Sequence, residues 1–139
     1  MILGIGSDIC DIRRIEKALA KHGQRFEERV FTAGEQGKAK SRKGGKRNSA
    51  AGTYAKRFAA KEACGKALGT GVGSGGGIFW KDIEVINLPS GKPTLKLSGN
   101  ARKALEYLTP KGMKADIHVS LVDEYPIAQA FVVIEALPQ

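Results

Sequence analysis

Residues 2–9 of the sequence read Ile2-Leu3-Gly4-Ile5-Gly6-Ser7-Asp8-Ile9. Bulky apolar residues alternate with small ones in this stretch, which is the period-two pattern of a β-strand. One face of the strand would carry Leu3, Ile5, Ser7 and Ile9, whereas the other would carry Gly4, Gly6 and Asp8. Because glycine has no side chain, a second element can approach this face closely, beside the carboxylate of Asp8.

Helical patterns follow this strand in two places. The first pattern runs from Asp11 to Val30 with an interruption near Gly23, so that it fits two short helices or one kinked helix. The second runs over residues 53–68, is rich in alanine, and ends at Gly69, where a glycine-rich loop begins. A further helix is predicted around residues 101–108, where apolar residues recur at helical spacing.

The remaining apolar runs are short and predict strands. They cover residues 79–86, 93–97, 116–122 and 128–135. The last of them is almost entirely apolar, which favours a central position in a sheet. We therefore predict a single α+β domain over residues 1–139, with helices packed on one face of a small, mostly antiparallel sheet.

Composition indicates an ordinary globular chain. It has 139 residues, of which 42% are hydrophobic and 27% charged, a size that suits one hydrophobic core. Cys10 and Cys64 are well separated and fit reduced thiols better than a disulfide framework or a zinc site. The sequence contains neither a secretory signal pattern nor an apolar run of about 20 residues, so that a cytoplasmic location without membrane association is predicted.

The formal net charge of +9 comes from one segment, since residues 36–61 contain nine lysines and arginines and no acidic residue. Such a segment is either a solvated loop or an attractor of polyanions. The glycines between residues 37 and 45 favour a flexible basic segment over residues 36–49. An RNA-binding module is the alternative function, but Tyr54 and Phe58 are the only aromatic residues of this region, which leaves few platforms for base stacking.

Two carboxylates from separate elements form a candidate metal site. Asp8 lies at the end of the first strand, and Glu62 lies on the alanine-rich helix that could pack there. Mg²⁺ binds to one or two carboxylates together with water and phosphate oxygens. Lys66 follows Glu62 by one helical turn and Lys61 precedes it, so that ammonium groups would flank the metal. The competing interpretation is an exposed Glu62–Lys66 ion pair, which stabilises a helix by about 0.2–0.5 kcal/mol.

Weaker signals surround this pair. The loop Gly69-Thr70-Gly71 offers backbone amides to phosphate, although it lacks the Gly-Lys-Ser/Thr of a P-loop. His118 and Ser120 alternate on a late strand and would share a polar face. The sequence holds no metal-binding CxxC or HExxH motif and no dinucleotide-binding fingerprint.

Several motifs together resemble the holo-acyl-carrier-protein synthase family of phosphopantetheinyl transferases. They are Gly4-Ile5-Gly6-Ser7-Asp8-Ile9, Phe31-Thr32-Ala33-Gly34-Glu35, Arg57-Phe58-Ala59-Ala60-Lys61-Glu62-Ala63-Cys64-Gly65-Lys66-Ala67-Leu68-Gly69-Thr70-Gly71, Gly91-Lys92-Pro93 and His118-Val119-Ser120-Leu121. The resemblance extends nearly from end to end, and the run from Lys61 to Gly71 is its most specific part.

The resemblance implies a magnesium-dependent enzyme that transfers the phosphopantetheine moiety of coenzyme A to a serine of apo acyl carrier protein, and thereby supports fatty acid biosynthesis. It implies a homotrimer with coenzyme A bound between subunits. Asp8 and Glu62 correspond to the metal ligands and, with Lys66, to the catalytic residues. The coenzyme A ligands correspond to Lys61, Lys66, Gly69, Thr70, Gly71, Lys92, Pro93, His118 and Ser120. The acyl carrier protein would dock on a basic surface formed by Arg14, Lys21, Arg25, Phe26 and Arg29.

The sequence departs from the family pattern after the His118 strand. The family often carries a second Ser-His pair there, and this chain has Val122 and Asp123. A mechanism that needs the second histidine is therefore not supported, and either a metal-oriented water or Glu62 is left as the acceptor of the serine proton. A magnesium-dependent enzyme for another nucleotide pyrophosphate is a second alternative to the transferase.

Overall fold

A computed structural model describes residues 1–42, 49–73 and 77–139 of the chain. Its helices and strands are β1 (Ile2–Asp11), α1 (Ile12–His22), α2 (Gln24–Val30), α3 (Ala33–Lys40), α4 (Ser49–Leu68), β2 (Ile83–Asn87), β3 (Pro93–Leu97), α5 (Gly99–Leu108), β4 (Met113–Glu124) and β5 (Ile127–Pro138), with one 3-10 turn at Trp80–Asp82. Within the described ranges, no helix combines the length and the apolar character that crossing a membrane requires.

The strands form two antiparallel sheets. Three of them pair in the order β1-β5-β4, and β2 pairs with β3 in a separate hairpin. Strand β5 is central, as its apolar sequence predicts, and its residues Ala128, Ala130, Val132 and Ile134 are fully buried on one face. The α+β class and the antiparallel pairing are confirmed, whereas the single sheet expected from the sequence is divided in two.

Helix α4 lies directly against the glycine face of β1. A Cβ atom on Gly4 would fall 1.9 Å from the carbonyl oxygen of Ala67, and one on Gly6 would fall 1.9 Å from that of Ala63. No side chain fits such a gap, so the two glycines set the distance between helix and strand. The close approach predicted from the alternation of residues 2–9 is confirmed.

The opposite face of the three-stranded sheet is open in the single chain. Ile5 and Ile9 of β1 are each 61% exposed there, and Val122 of β4 and Phe131 of β5 are 55% and 46% exposed. The strand register aligns Ser7, Phe131 and Ser120 across this face. Among the residues that the structure describes, the sheet therefore carries helices on one face only, as expected.

Helix α3 differs from the sequence-based expectation. Residues 36–40, interpreted as the start of a flexible basic segment, belong to this helix, and residues 43–48 of that segment lie outside the described residues. Thr32 begins the helix with a capping box, in which its side chain accepts from the Glu35 amide and the Glu35 side chain accepts from the Thr32 amide. This pairing satisfies two amide donors at the helix start and explains why a glycine-containing segment is helical.

Two other boundaries also differ. Helix α4 begins at Ser49, before the predicted residue 53. The strand predicted over residues 79–86 begins instead with the 3-10 turn, because a carboxylate oxygen of Asp82 accepts a hydrogen bond from the Phe79 amide at 3.0 Å. Strand β2 starts only after this turn.

Candidate active site

Asp8, Glu62 and Lys66 lie together where α4 crosses β1. Lys66 Nζ is 3.2 Å from Oδ1 of Asp8 and 2.9 Å from the carbonyl oxygen of Ser7. Lys66 is thus ion-paired with a carboxylate on β1. Its ion-pair partner is Asp8, and not Glu62 as in the competing interpretation of an exposed helix pair. The side chain of Asp8 is 19% exposed and that of Lys66 is 55% exposed, so the cluster is open to solvent on one side.

Glu62 lies in the electrostatic field of Asp8. Partial burial raises the pKa of Glu62 above its usual value, the negative charge of Asp8 raises this pKa further, and Lys66 and Arg14 oppose the shift. Desolvation and a like charge both disfavour the ionised carboxylate. A hard divalent cation would relieve this repulsion with the oxygen ligands that it prefers, so Asp8 and Glu62 fit a Mg²⁺ site.

Lys61 does not belong to this cluster. Its ammonium group is fully buried, lies 2.8 Å from Oε1 of Glu35 and 3.0 Å from the carbonyl oxygen of Trp80, and also donates to the carbonyl oxygen of Ile83. Burial lowers the pKa of Lys61, and the charge of Glu35 opposes this shift. Its donors are taken up by the core, which corrects the expectation that Lys61 binds coenzyme A.

The glycine loop folds back on the end of α4 beside Lys66. The carbonyl oxygen of Gly65 accepts hydrogen bonds from the amides of Thr70 at 3.2 Å and Gly71 at 3.0 Å. Gly69 and Gly71 have φ angles of 80° and 72°, which favour glycine at both positions. Residues 69–71 are exposed next to Lys66 and are thus accessible to a ligand.

Gly65 is a residue of this site that the sequence analysis missed. A Cβ atom at this position would fall 2.8 Å from the carbonyl carbon of Gly71, so any side chain would push the loop away. A glycine within a helix is the sequence signal that could have identified it, because such a residue often permits close packing of another backbone.

His118 and Ser120 lie on the other face of the sheet. The register aligns His118 with Val133 of β5, which is also aligned with Ile5, so both polar residues face away from α4. His118 Nε2 is 2.9 Å from Oε1 of Glu135 and 3.6 Å from Oδ2 of Asp116. Within one chain, these two residues are therefore separated from Asp8 and Glu62 by the sheet.

Lys92 and Pro93 lie at the β2–β3 hairpin. The turn is closed by a hydrogen bond of 2.8 Å from the Leu88 amide to the carbonyl oxygen of Lys92, and Gly91 has a φ angle of 89°. Asp123, at the end of β4, forms an ion pair of 3.2 Å with Lys56. Its carboxylate is thus engaged with α4.

The predicted basic surface lies on α1 and α2. Arg14, Lys21, Arg25 and Arg29 are exposed, and Phe26 is half-buried, with its ring 5.8 Å from that of Phe31 in an edge-to-face arrangement. A depression of about 180 Å³ is lined by His22, Arg25, Phe26 and Arg29.

The nearby acidic side chains are paired with other groups. Glu27 accepts a hydrogen bond from the Tyr54 hydroxyl, and Glu28 lies 3.6 Å from Lys81. Burial raises the pKa of both Cys10 and Glu62, while the positive charge of Arg14 lowers both values because it favours their ionised forms.

Comparison with known proteins gives consistent matches. The family model of the 4′-phosphopantetheinyl transferase superfamily matches residues 4–130. The chain is 58% identical to the holo-[acyl-carrier-protein] synthase of Brucella ovis over 138 residues, which cover 99% of this chain and 98% of that protein.

Solved structures of similar proteins have the same fold. The holo-[acyl-carrier-protein] synthase of Neisseria meningitidis is 36% identical, with a TM-score of 0.78 over 97% of this chain and 99% of that one. The corresponding synthase of Bacillus anthracis, solved in complex with CoA (3′,5′-ADP), is 39% identical, with a TM-score of 0.74 over 97% of each chain. These similarities give no support to an RNA-binding module.

Proposed function

Because this chain belongs to the 4′-phosphopantetheinyl transferase superfamily, we propose that it transfers the phosphopantetheine moiety of coenzyme A to a serine of an apo acyl carrier protein. The products are the holo carrier and adenosine 3′,5′-bisphosphate, and the reaction supports fatty acid biosynthesis. The observation that carries this proposal is the cluster of Asp8, Glu62 and Lys66 beside an exposed glycine loop, in a chain similar to named synthases over nearly its whole length.

The reaction replaces the phosphoanhydride bond of coenzyme A with a phosphodiester bond to the carrier serine. The serine oxygen forms a bond to the phosphorus that carries pantetheine, and the bond from this phosphorus to the bridging oxygen of the diphosphate breaks. Such a transfer depends on positioning and on charge neutralisation, without a covalent enzyme intermediate. Asp8 and Glu62 would hold Mg²⁺, which when bound neutralises charge on the diphosphate.

Other residues of this chain bind and orient the substrates. Lys66 offsets negative charge on the leaving adenosine bisphosphate, because its ammonium group lies at the edge of the carboxylate cluster. The exposed backbone of Gly69, Thr70 and Gly71 lies along coenzyme A. The basic surface of α1 and α2 docks an acidic carrier, with Phe26 as an apolar anchor among Arg14, Lys21, Arg25 and Arg29.

The active assembly in this proposal is a homotrimer. The open sheet face with Ile5, Ile9, Val122 and Phe131 supports this, because an apolar surface of this kind is typical of a contact between protein chains. Its burial between subunits would also allow Lys92, Pro93, His118 and Ser120 to complete a coenzyme A site with the Asp8 cluster of a neighbour.

The decisive experiment measures the mass of a purified apo acyl carrier protein after incubation with coenzyme A, Mg²⁺ and the enzyme. The wild type should add one phosphopantetheine group per carrier. Asp8→Ala and Glu62→Gln should abolish the gain while their circular dichroism spectra stay unchanged. Lys103→Met, on the exposed surface of α5, serves as the control and should act like the wild type. Near-normal transfer by both carboxylate variants would remove this site assignment.

A further inference from the structure

The ammonium group of Lys66 binds a carboxylate oxygen of Asp8, which is one of the two proposed metal ligands. It donates hydrogen bonds to Oδ1 of Asp8 at 3.2 Å and to the Ser7 carbonyl oxygen at 2.9 Å. The close packing of α4 on Gly6 makes this contact possible, because it brings the last turn of the helix over β1. Part of the charge of the carboxylate pair is thus already neutralised by the protein itself.

A divalent cation at Asp8 and a lysine on the same carboxylate would repel each other. Unit charges about 4 Å apart interact strongly at the effective dielectric constant of a protein surface, and the repulsion is larger for a doubly charged ion. The cation and the ammonium group therefore cannot both use Oδ1 of Asp8 at full strength. Cation binding at this position would shift Lys66 away.

Lys66 is free to make such a movement, in contrast to Lys61. The Lys66 side chain is 55% exposed, whereas that of Lys61 is completely buried and fixed by three acceptors. Lys66 also borders a cleft of about 300 Å³ with Ile5, Gly6, Ser7 and Phe131, and the exposed loop at residues 69–71 follows it in the chain. A displaced ammonium group thus has open space beside the loop.

We propose that Lys66 acts as an internal counter-ion of Asp8 in the free enzyme, and that a divalent cation competes with it for this carboxylate. Cation binding then releases the ammonium group for the diphosphate of the substrate, so that Lys66 both weakens metal binding and serves the reaction. The inference rests on the metal site of the proposed function and adds a competition for Asp8 to it.

The competition predicts that removal of the Lys66 charge raises the affinity for Mg²⁺ and lowers the rate of transfer. Lys66→Met should bind Mg²⁺ about two- to fivefold more tightly than the wild type, the factor that corresponds to the loss of an exposed ion pair. The same variant should transfer phosphopantetheine more slowly. Lys66→Arg keeps the positive charge on Asp8 and should show no gain in Mg²⁺ affinity, and Lys103→Met should match the wild type.

Isothermal titration of each variant with MgCl₂, without coenzyme A and without carrier, measures this affinity directly. Equal or weaker Mg²⁺ binding by Lys66→Met would overturn the proposal, as would equal tightening in Lys103→Met. Wild-type transfer assays with Mg²⁺ and with a chelator distinguish failure of the proposed metal site from failure of the Lys66 competition alone. Transfer that persists in the chelator would sink the metal site and this inference together. Metal-dependent transfer with no tightening in Lys66→Met would sink only the inference.

Discussion

Nζ of Lys61 lies 2.8 Å from Oε1 of Glu35, and both side chains are excluded from solvent. The second carboxylate oxygen of Glu35 accepts a hydrogen bond of 3.0 Å from the Val85 amide, while Lys61 reaches the carbonyl oxygens of Trp80 and Ile83. One buried ion pair therefore joins α3, α4 and β2. Lys61 directly precedes Glu62 in α4, so the ion pair also fixes the helix that carries this proposed metal ligand.

Removal of the Lys61 charge should destabilise the fold. Lys61→Met leaves the Glu35 carboxylate buried without its cation, and we expect a loss of about 3–5 kcal/mol in the free energy of unfolding. Urea denaturation followed by circular dichroism measures this quantity. Lys103→Met, at an exposed position of α5, should change it by less than about 0.5 kcal/mol. A loss below about 1 kcal/mol for Lys61→Met would contradict the structural role assigned to this lysine.

The ion pair also shows where prediction from sequence reaches its limit. Lys61 and Glu62 are adjacent, but neighbouring residues of a helix point about 100° apart, so adjacency alone did not distinguish the core residue from the site residue. The partner Glu35 lies in helix α3, which was not predicted because its sequence is rich in glycine and lysine. The spacing of Thr32 and Glu35 is nevertheless that of a capping box.

The packing of α4 on β1 was predictable because each element has a clear periodic sequence pattern. The alternation of residues 2–9 predicted the bare face of β1, and the alanine-rich pattern predicted the helix that packs there, so the close contact of α4 with β1 followed from both. Gly65 escaped because its role depends on how the following loop folds back, which no local pattern records. The separation of the strands into two sheets is likewise a matter of long-range packing.

A methyl group on Gly6 should separate α4 from β1. Its Cβ atom would fall 1.9 Å from a helix carbonyl oxygen, so Gly6→Ala should lower stability by at least about 1–3 kcal/mol and reduce transfer as the carboxylates move apart. Thermal unfolding and the carrier mass assay test both effects. Gly37→Ala is the matched control, since its added Cβ would meet no described atom within 4 Å beyond its chain neighbours and its own helix backbone. Gly37 also lies within α3, where alanine should stabilise by about 0.5–1 kcal/mol. An unperturbed Gly6→Ala variant would disprove the close contact.

Charge reversal on the basic surface should affect the carrier and not coenzyme A. Arg25→Glu combined with Arg29→Glu should raise the KM for carrier about tenfold or more at low salt, with less effect at high salt, because charge complementarity mainly accelerates association. Arg102→Glu is the control, as Arg102 lies on α5, where it is ion-paired with Glu106 at 3.3 Å. A KM for carrier that stays unchanged at low ionic strength would rule out α1 and α2 as the docking surface.

A charge on the open sheet face should prevent assembly. Phe131 is 46% exposed in the single chain, and burial of a carboxylate at this position between subunits would cost several kcal/mol. Phe131→Glu should therefore elute with the mass of a monomer in size-exclusion chromatography with light scattering, whereas we expect the wild type to elute as a trimer. Transfer should be lost at the same time, because in the proposed trimer a neighbouring subunit would complete the coenzyme A site.

The control for this experiment is Tyr107→Glu, which introduces the same charge at an aromatic residue of α5 that is 91% exposed. This variant should keep the mass and the activity of the wild type. A Phe131→Glu variant that stays trimeric would show that the sheet face lies outside the interface. A monomeric variant with full activity would show instead that one chain contains the whole site, so that His118 and Ser120, which face away from Asp8 within the chain, would have no part in coenzyme A binding.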